Sequence, residues 1–243
     1  MSTDADNDGL IFWTRGEDCC DTVWEAAYER FETPADERCK FRRRLCALGI
    51  DGLPRNLRVA DLFCGRGSNL DVLEELGFTD LLGVDLSPAL LRRHKGRARL
   101  FVGDCRDLKL PDSSVNLVIV QGGLHHLPVL PDDLDLCFSE ITRVLAPEGL
   151  VAFVEPALTP FLHLVHFCCK IAILRRLSPR LDALAVMIEH ERKTYFNWLS
   201  RPDEIRDLAC GHFDLVLNRT KFGKWFFLGR VVKDAPEKPL AAR

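Results

Sequence analysis

The residues of this chain whose types and spacing could do chemistry begin with a glycine pair, Gly65 and Gly67. Glycine adopts backbone torsions that other residues resist, and it lets a ligand come close to the main chain. The pair follows Val59 to Phe63, a short apolar run broken only by Asp61, which is typical of a buried strand. A glycine loop at the end of a buried strand could cradle a nucleotide-like ligand.

The glycine pair is followed by leucines at helical spacing, namely Leu70, Leu73 and Leu76. We expect Ser68 or Asn69 to cap the first turn of this helix, because both side chains can accept a hydrogen bond from a free backbone N–H. Strand, glycine loop and helix together predict the nucleotide-binding corner of a Rossmann-like sheet.

An acid at the end of the next predicted strand narrows the choice of ligand. Asp85 ends the run Leu81 to Asp85, about twenty residues after the glycines, where such folds place a carboxylate on a ribose. NAD and S-adenosylmethionine both carry that ribose, so Asp85 does not separate them. Position 70 is Leu, however, and the third glycine that accompanies a pyrophosphate is missing. S-adenosylmethionine has no pyrophosphate, and Asp61 can face its ammonium directly or through water.

Two adjacent histidines, His125 and His126, follow the predicted strand Val115 to Gln121. An imidazole can take a proton from a hydroxyl or an amine, so both are candidates for general base catalysis. The alternative is that one histidine shapes the pocket while the other packs the loop. Glu155 ends the fifth predicted strand at the same edge of the sheet, where it could reach the substrate pocket or pair with a nearby cation.

Five segments in the expected order resemble the motifs of class I S-adenosylmethionine-dependent methyltransferases, in the small-molecule group that includes ubiquinone/menaquinone-biosynthesis methyltransferases. Asp61–Gly67 resembles the first motif, with Phe63 where its first glycine usually stands. The other four segments are 83–87, 101–105, 115–126 and 143–149. The flanks match more loosely, so the acceptor does not transfer with the resemblance.

The resemblance implies an α/β fold with a seven-stranded Rossmann-like sheet, mostly parallel with a C-terminal antiparallel hairpin, and helices on both faces. It implies S-adenosyl-L-methionine as cofactor and S-adenosyl-L-homocysteine as product. The implied cofactor-binding residues are Asp61, Phe63, Cys64, Gly65, Gly67, Asp85, Leu86, Asp104, Cys105 and Gln121. Asp104 would meet the adenine amino group, while the thiols of Cys64 and Cys105 pack; a catalytic thiol is the alternative.

One domain of 243 residues is expected. Its predicted parts are an N-terminal helical cap at 21–50, a cofactor-binding core at 58–156, a helical substrate-side insert at 157–200, and a helix with a closing hairpin at 201–233. The cap either closes over the cofactor or only packs on the sheet. The insert is apolar but too interrupted to span a membrane; it could roof the substrate pocket, form a homodimer face or be plain core. Residues 1–9 and the tail from 234 are expected to be loose.

The composition excludes several other classes of function. Net charge is −3, so no overall basic field favours nucleic acid. None of the ten cysteines has Cys-x-x-Cys spacing, which favours reduced thiols in a cytoplasmic protein and no metal site. The polar, acidic start carries no secretory signal.

The sequence therefore predicts an enzyme that transfers a methyl group from S-adenosylmethionine to a small, partly apolar acceptor by SN2 displacement. Three alternatives stay open. An RNA or DNA base methyltransferase would need a basic face around the pocket, an NAD-dependent oxidoreductase would bind nicotinamide, and a catalytically silent scaffold would bind the cofactor without turnover.

Overall fold

A computed structural model describes residues 9–16 and 22–231 of the chain. Most of the two ends predicted to be loose, residues 1–8 and 232–243, lie outside the described residues, as do residues 17–21. One sheet organises the described part. Its strands are β1 (Ile11–Phe12), β2 (Arg58–Leu62), β3 (Asp80–Asp85), β4 (Arg99–Val102), β5 (Val115–Gln121), β6 (Leu145–Pro156), β7 (Phe213–Lys221) and β8 (Lys224–Val231). They lie side by side in the order β1-β4-β3-β2-β5-β6-β8-β7.

Six of these strands run parallel, and β8 joins β6 as the first antiparallel neighbour, followed by β7. The predicted sheet, mostly parallel with a C-terminal hairpin, is confirmed. The number of strands differs, since the sheet has eight strands rather than seven. The additional strand is β1, only two residues long, which pairs with β4 through Ile11 and Phe101. So short a segment leaves no periodicity from which to predict it.

Helices cover both faces of the sheet. They are α1 (Thr22–Phe31), α2 (Pro34–Ala47), α3 (Ser68–Glu75), α4 (Pro88–Leu91), α5 (Asp132–Val144), α6 (Pro160–Cys169), α7 (Ala172–Leu177), α8 (Pro179–His190), α9 (Arg192–Leu199) and α10 (Pro202–His212). Leu117 and Ile119 of β5 pack with α2, α3 and α4, whereas Val118 and Val120 pack with α5, α9 and α10. The alternation of side chains along a strand therefore gives the sheet two apolar cores.

The helix after the glycine loop begins differently from the expectation. Gly67 itself is the N-cap, with a φ of 81°, and neither Ser68 nor Asn69 caps α3. Both residues lie in the first turn, and their side chains bond to acids instead: Ser68 Oγ donates to Glu37 at 2.6 Å, and Asn69 Nδ2 donates to Asp61 at 3.0 Å. The first turn of α3 thus ties α2 and β2 to the glycine loop.

The segment between β6 and α10 folds into the helices α6 to α9, as the interrupted apolar pattern predicts. Within the described part of the chain, no helix has both the length and the apolar character needed to cross a bilayer. Trp198 of α9 donates a hydrogen bond to the carbonyl of Pro156, so the segment is anchored beside the end of β6.

Candidate active site

A cavity of about 950 Å³ lies at the carboxyl ends of the parallel strands. The strand that follows β2 in the chain, β3, lies on one side of it, whereas β5 lies on the other side. The direction of the connections thus reverses at β2, and α/β sheets bind their ligands at such a switch point. Side chains of α1 and α2 line the cavity on one side, and those of α6 and α8 line it on another. The volume is near the upper end of the range for small-molecule sites.

The glycine loop forms one wall of this cavity. Gly65 has a φ of 54°, and apart from its two chain neighbours no described residue has an atom within 4 Å of the position that its Cβ would occupy. Gly67 is different, because a Cβ there would meet the ring of His94 at 2.4 Å. Phe63 also has a positive φ, 56°, a conformation that costs energy in a bulky residue. Gly65 thus leaves its main chain open to a ligand, while Gly67 is required by packing.

Asp85 points at the glycine loop, as its spacing from the glycines predicts. One carboxylate oxygen accepts the N–H of Gly65 at 2.8 Å, and the other accepts the N–H of Ser87 at 2.9 Å. Burial raises the pKa of Asp85, and the two amide donors act in the opposite direction. The carboxylate is held rigidly at the tip of β3, and Leu86 beside it also lines the cavity.

Asp61 lies behind the glycine loop and is buried. Its Oδ1 accepts from Asn69, whereas its Oδ2 has no hydrogen-bond partner among the residues that the structure describes. Burial, reinforced by Asp85, raises the pKa of Asp61 to about 8. Asn69 in turn accepts from Gln121 Nε2 at 2.9 Å, which connects Asp61 to the cavity wall. A buried carboxylate with an unmatched oxygen fits a nearby cation such as the ammonium of S-adenosylmethionine.

Asp104 and Cys105 follow β4 and line the cavity. Arg106 holds the Asp104 carboxylate in a two-point contact, with Nη2 to Oδ2 at 2.6 Å and Nε to Oδ1 at 3.0 Å. Burial opposes this contact, but Arg106 lowers the pKa of Asp104. Contact with the Cys137 thiol and burial raise the pKa of Cys105 well above the ordinary value. Burial also raises the pKa of the Cys64 thiol well above its ordinary value. Both thiols stay protonated, so neither is an activated nucleophile.

His125 and Glu155 form a buried ion pair at the end of β6. His125 Nδ1 lies 2.7 Å from Glu155 Oε2, and Glu155 Oε1 accepts the N–H groups of Gly123 and Leu124, both at 2.9 Å. Burial would lower the pKa of His125, but Glu155 and Glu191 raise it to about 9. Burial would raise the pKa of Glu155, but His125 and the two amides lower it. The imidazole is therefore charged at neutral pH.

Glu191, which lies between α8 and α9, reaches both histidines. Its Oε2 is 3.8 Å from His125 Nε2 and its Oε1 is 3.9 Å from His126 Nε2. The two imidazole rings lie 4.2 Å apart. Desolvation within the cavity and the charge of His125 lower the pKa of His126, whose side chain stays 39% exposed, so its ring is neutral. The ligand atoms of these three side chains lie within 4.8 Å of one another. The charged His125 lies between the carboxylates of Glu155 and Glu191, and this attraction explains why the side chains cluster. We assign no metal to the cluster.

Two cations complete the cavity wall, Arg44 of α2 and Lys224 of β8. Arg44 Nη1 donates to Gln121 Oε1 at 3.4 Å. Among the described residues, no carboxylate oxygen lies within 4 Å of either cation. Burial lowers the pKa of Lys224 to about 7, and the neighbouring Arg44 adds to this effect. Half-buried cations without a paired acid favour a bound anion.

The sequence predicts the glycine loop, Asp85 and the histidines, but it does not single out Glu191, Arg44 or Lys224. Each of these three lies on a segment that the sequence analysis describes only as helix or strand. The one available signal is that Tyr195 follows Glu191 by four residues, a helical spacing that places the two side chains on the same side of the chain. Tyr195 accordingly lines the same cavity.

Comparisons with known proteins agree with this geometry. Residues 60–153 match the family model described as a methyltransferase domain. A malonyl-[acyl-carrier protein] O-methyltransferase of Dechloromonas aromatica is 27% identical over 186 residues, which cover 75% of this chain and 62% of that protein. A ubiquinone/menaquinone biosynthesis C-methyltransferase of Citrifermentans bemidjiense is 28% identical over 152 residues, covering 51% of this chain and 62% of that protein. The chain thus spans less than two thirds of the length of these relatives.

A solved structure of similar fold is a protein of Methanococcus maripaludis assigned as an S-adenosyl-L-methionine-dependent methyltransferase. It superposes with a TM-score of 0.57 at 15% identity, over 91% of this chain and 99% of the other. At this identity the likeness concerns the fold. The family match, the strand order and the glycine corner agree with one another: residues 60–153 match a methyltransferase domain, and they form part of a Rossmann-like sheet.

Proposed function

We propose that the chain transfers a methyl group from S-adenosylmethionine to a small acceptor bound between the histidines and the helical insert. The observation that carries this proposal is the corner formed by Gly65 and Asp85. The main chain of Gly65 is open to a ligand, and the carboxylate of Asp85 is fixed at its edge by two amide donors. This corner offers an adenosyl ligand a ribose acceptor and bare main chain together.

The cofactor would lie along the wall formed by eight of the ten predicted residues, namely Phe63, Cys64, Gly65, Asp85, Leu86, Asp104, Cys105 and Gln121. The other two, Asp61 and Gly67, lie behind this wall. Asp85 would accept from the ribose hydroxyls and Asp104 would face the adenine. Asp61, reaching the wall through Asn69 and Gln121, would stabilise the ammonium. Arg44, next to Gln121 and without a paired acid, would bind the carboxylate of the methionine part. The sulfonium supplies the methyl group, so the protein has only to position the acceptor and manage its proton.

The histidines would divide that task, because their charge states differ. His125 is charged and buried on Glu155, so it would donate a hydrogen bond or position the loop. His126 is neutral, and its imidazole would accept the proton of a hydroxyl or amine acceptor. Lys224 would contact an acidic or polar group of the acceptor from the opposite strand. The acceptors in the names of the relatives, a malonyl thioester and a quinone precursor, are suitable first probes.

Eight cysteines are described in the structure, and all of them are free thiols. This supports a reducing compartment such as the cytoplasm as the place where the chain works. A nucleic-acid acceptor has less support, because the chain carries a net charge of −3.

Calorimetry with S-adenosylhomocysteine tests the proposed function. We expect the wild type to bind and Asp85→Ala to bind about tenfold to 150-fold more weakly, because a charge-assisted hydrogen bond of roughly 1.5–3 kcal/mol is lost. The control is Asp107→Ala, which removes an exposed carboxylate that pairs with Lys109. Equal affinity of Asp85→Ala and the wild type, or no binding by either, would contradict the assignment.

A further inference from the structure

The outer side of α6 and α7 exposes large apolar side chains next to the mouth of the cavity. We define this α6–α7 face by Leu158, Phe161, Leu164, Phe167, Ile173 and Leu177, with Phe222 of the β7–β8 turn beside them. Each of these side chains is between 45% and 74% exposed. The rings of Phe161 and Phe222 are in edge contact at 5.8 Å, so the helix and the hairpin turn share one surface. A concentration of exposed apolar side chains of this kind usually marks an interaction site.

The charge around this face is opposite in sign to the charge of the rest of the chain. Residues 157–200 hold six Lys and Arg against three Asp and Glu, a net charge of +3, whereas the whole chain carries −3 and the remainder therefore −6. Lys170, which directly follows α6, and Arg176 of α7 are both exposed. Neither forms an ion pair with any residue that the structure describes. Lys221 lies over the ring of Phe222 at 5.0 Å and adds a third cation at the edge.

Exposed apolar side chains together with unpaired cations favour one kind of partner surface for the α6–α7 face over another. In a symmetric dimer the same patch would meet its own copy, so Lys170 and Arg176 would face cations of the same kind, which is unfavourable. An anionic lipid surface satisfies both features, since cations bind the headgroups while apolar side chains enter the boundary with the acyl chains. We propose that the α6–α7 face docks on an anionic phospholipid bilayer.

The α6–α7 face borders the cavity, and this position connects the docking to the acceptor. The connection rests on the proposed function. Phe161, Leu162 and Phe222 line the cavity, and Phe161 and Phe222 also belong to the exposed face. An apolar path therefore runs from the lipid boundary to the histidines and Lys224. An amphiphilic acceptor could enter with its apolar part along this path and its polar group towards the reacting end. The acceptor class is thus a lipid or lipid-linked compound with a polar head.

Sedimentation of the full chain with lipid vesicles tests the docking. We expect the chain to bind vesicles that contain phosphatidylglycerol at low salt, to lose this binding as salt rises, and to bind pure phosphatidylcholine weakly. Lys170→Gln combined with Arg176→Gln should weaken binding roughly 30-fold, since each cation near the surface contributes about fivefold. Phe167→Ser combined with Leu177→Ser should weaken it more than tenfold. Leu136→Ser, which replaces an exposed leucine of α5, is the matched control and should bind as the wild type does.

Absence of binding to either vesicle, or binding that ignores salt and all four substitutions, would overturn the docking proposal. So would a dimer in solution that Phe167→Ser and Leu177→Ser dissociate, because the face would then be covered by a second copy. Calorimetry with S-adenosylhomocysteine on the same variants separates the two proposals. Docking variants should retain cofactor affinity, whereas failure of the proposed function would appear as loss of that affinity in the wild type.

Discussion

The two sides of the cavity differ in where their polar contacts come from. On the cofactor side, Asp85 bonds to Gly65 and Ser87, and Asp61 connects through Asn69 to Gln121. These residues lie on β2, β3 and β5 and on the turns or helix that follow them, so their contacts join strands that are neighbours in the sheet. On the acceptor side, the polar contacts extend beyond these strands, to β6 and to the helical insert.

His125 follows β5, Glu155 ends β6 and Glu191 lies in the insert, yet the three form one network. Lys224 approaches from β8, the strand next to β6 in the sheet. The cofactor side is therefore fixed by contacts among neighbouring strands of the sheet, which suits a ligand shared by a whole family. The acceptor side is assembled from distant segments, so its charges can be altered without changing the glycine corner.

The largest effect is expected from a change in the buried ion pair of His125 and Glu155 on the acceptor side. Glu155→Gln should lower the free energy of unfolding by about 3–5 kcal/mol at neutral pH, because it leaves the charged His125 without its partner. Urea denaturation at equilibrium measures the difference in the free energy of unfolding between the variant and the wild type. Glu189→Gln is the control, since its exposed ion pair with Arg192 should contribute less than about 1 kcal/mol.

The same pair predicts a pH dependence of stability. The folded-state pKa of His125, about 9, lies above its ordinary value of 6.5. Its stabilising contribution is thus fully present below about pH 6.5 and is lost as pH rises through 9. The difference in stability between wild type and Glu155→Gln should shrink over that range. A difference that stays constant from neutral pH to about pH 10 would show that His125 is not the charged partner.

The next largest effect is on the rate of methyl transfer, and comparison with cofactor affinity distinguishes the acceptor side from the cofactor side. Replacement of both His125 and His126 by Gln should reduce methyl transfer by about 10²–10⁴-fold if a histidine acts as general base. Affinity for S-adenosylhomocysteine should stay close to that of the wild type, because neither residue belongs to the cofactor wall. The single variant His126→Gln should account for most of the loss, since His126 is the neutral imidazole. Transfer to the malonyl thioester or quinone probe provides the measurement.

His163→Gln replaces an exposed histidine of the insert and serves as the control for that experiment. Unchanged turnover in the double variant would remove the base role from both histidines. A loss of cofactor affinity equal to the loss of turnover would contradict the division between the two sides.

The smallest effect tests the cofactor side. Asp61 has a pKa of about 8 in the free protein, so it is mostly neutral at pH 6. An ammonium nearby favours the carboxylate, and affinity for S-adenosylhomocysteine should therefore rise from about pH 6 to pH 8, by at most tenfold per pH unit. Asp61→Asn should remove this slope. The same slope in Asp61→Asn and the wild type would assign the pH dependence to another group.

The sequence alone predicts most of the sheet, because glycines and alternating apolar runs mark strands and turns locally. It does not predict β1, which has two residues, and it misplaces the cap of α3. Ser68 and Asn69 are good capping residues by type, but the structure gives their side chains stronger partners in Glu37 and Asp61. Local propensity was overridden there by contacts between segments.

What the sequence by itself determined is the glycine corner, since Gly65 acts through its backbone torsion and Asp85 ends the strand beside the one that leads into Gly65. What only the tertiary structure decided is the charge of the acceptor side. The sequence presents His125 and His126 as equivalent, but Glu155 makes one a cation, while the cavity and the charge of that cation keep the other neutral. A pKa depends on burial and on charges within a few ångströms, and those neighbours come from parts of the chain that only folding brings together.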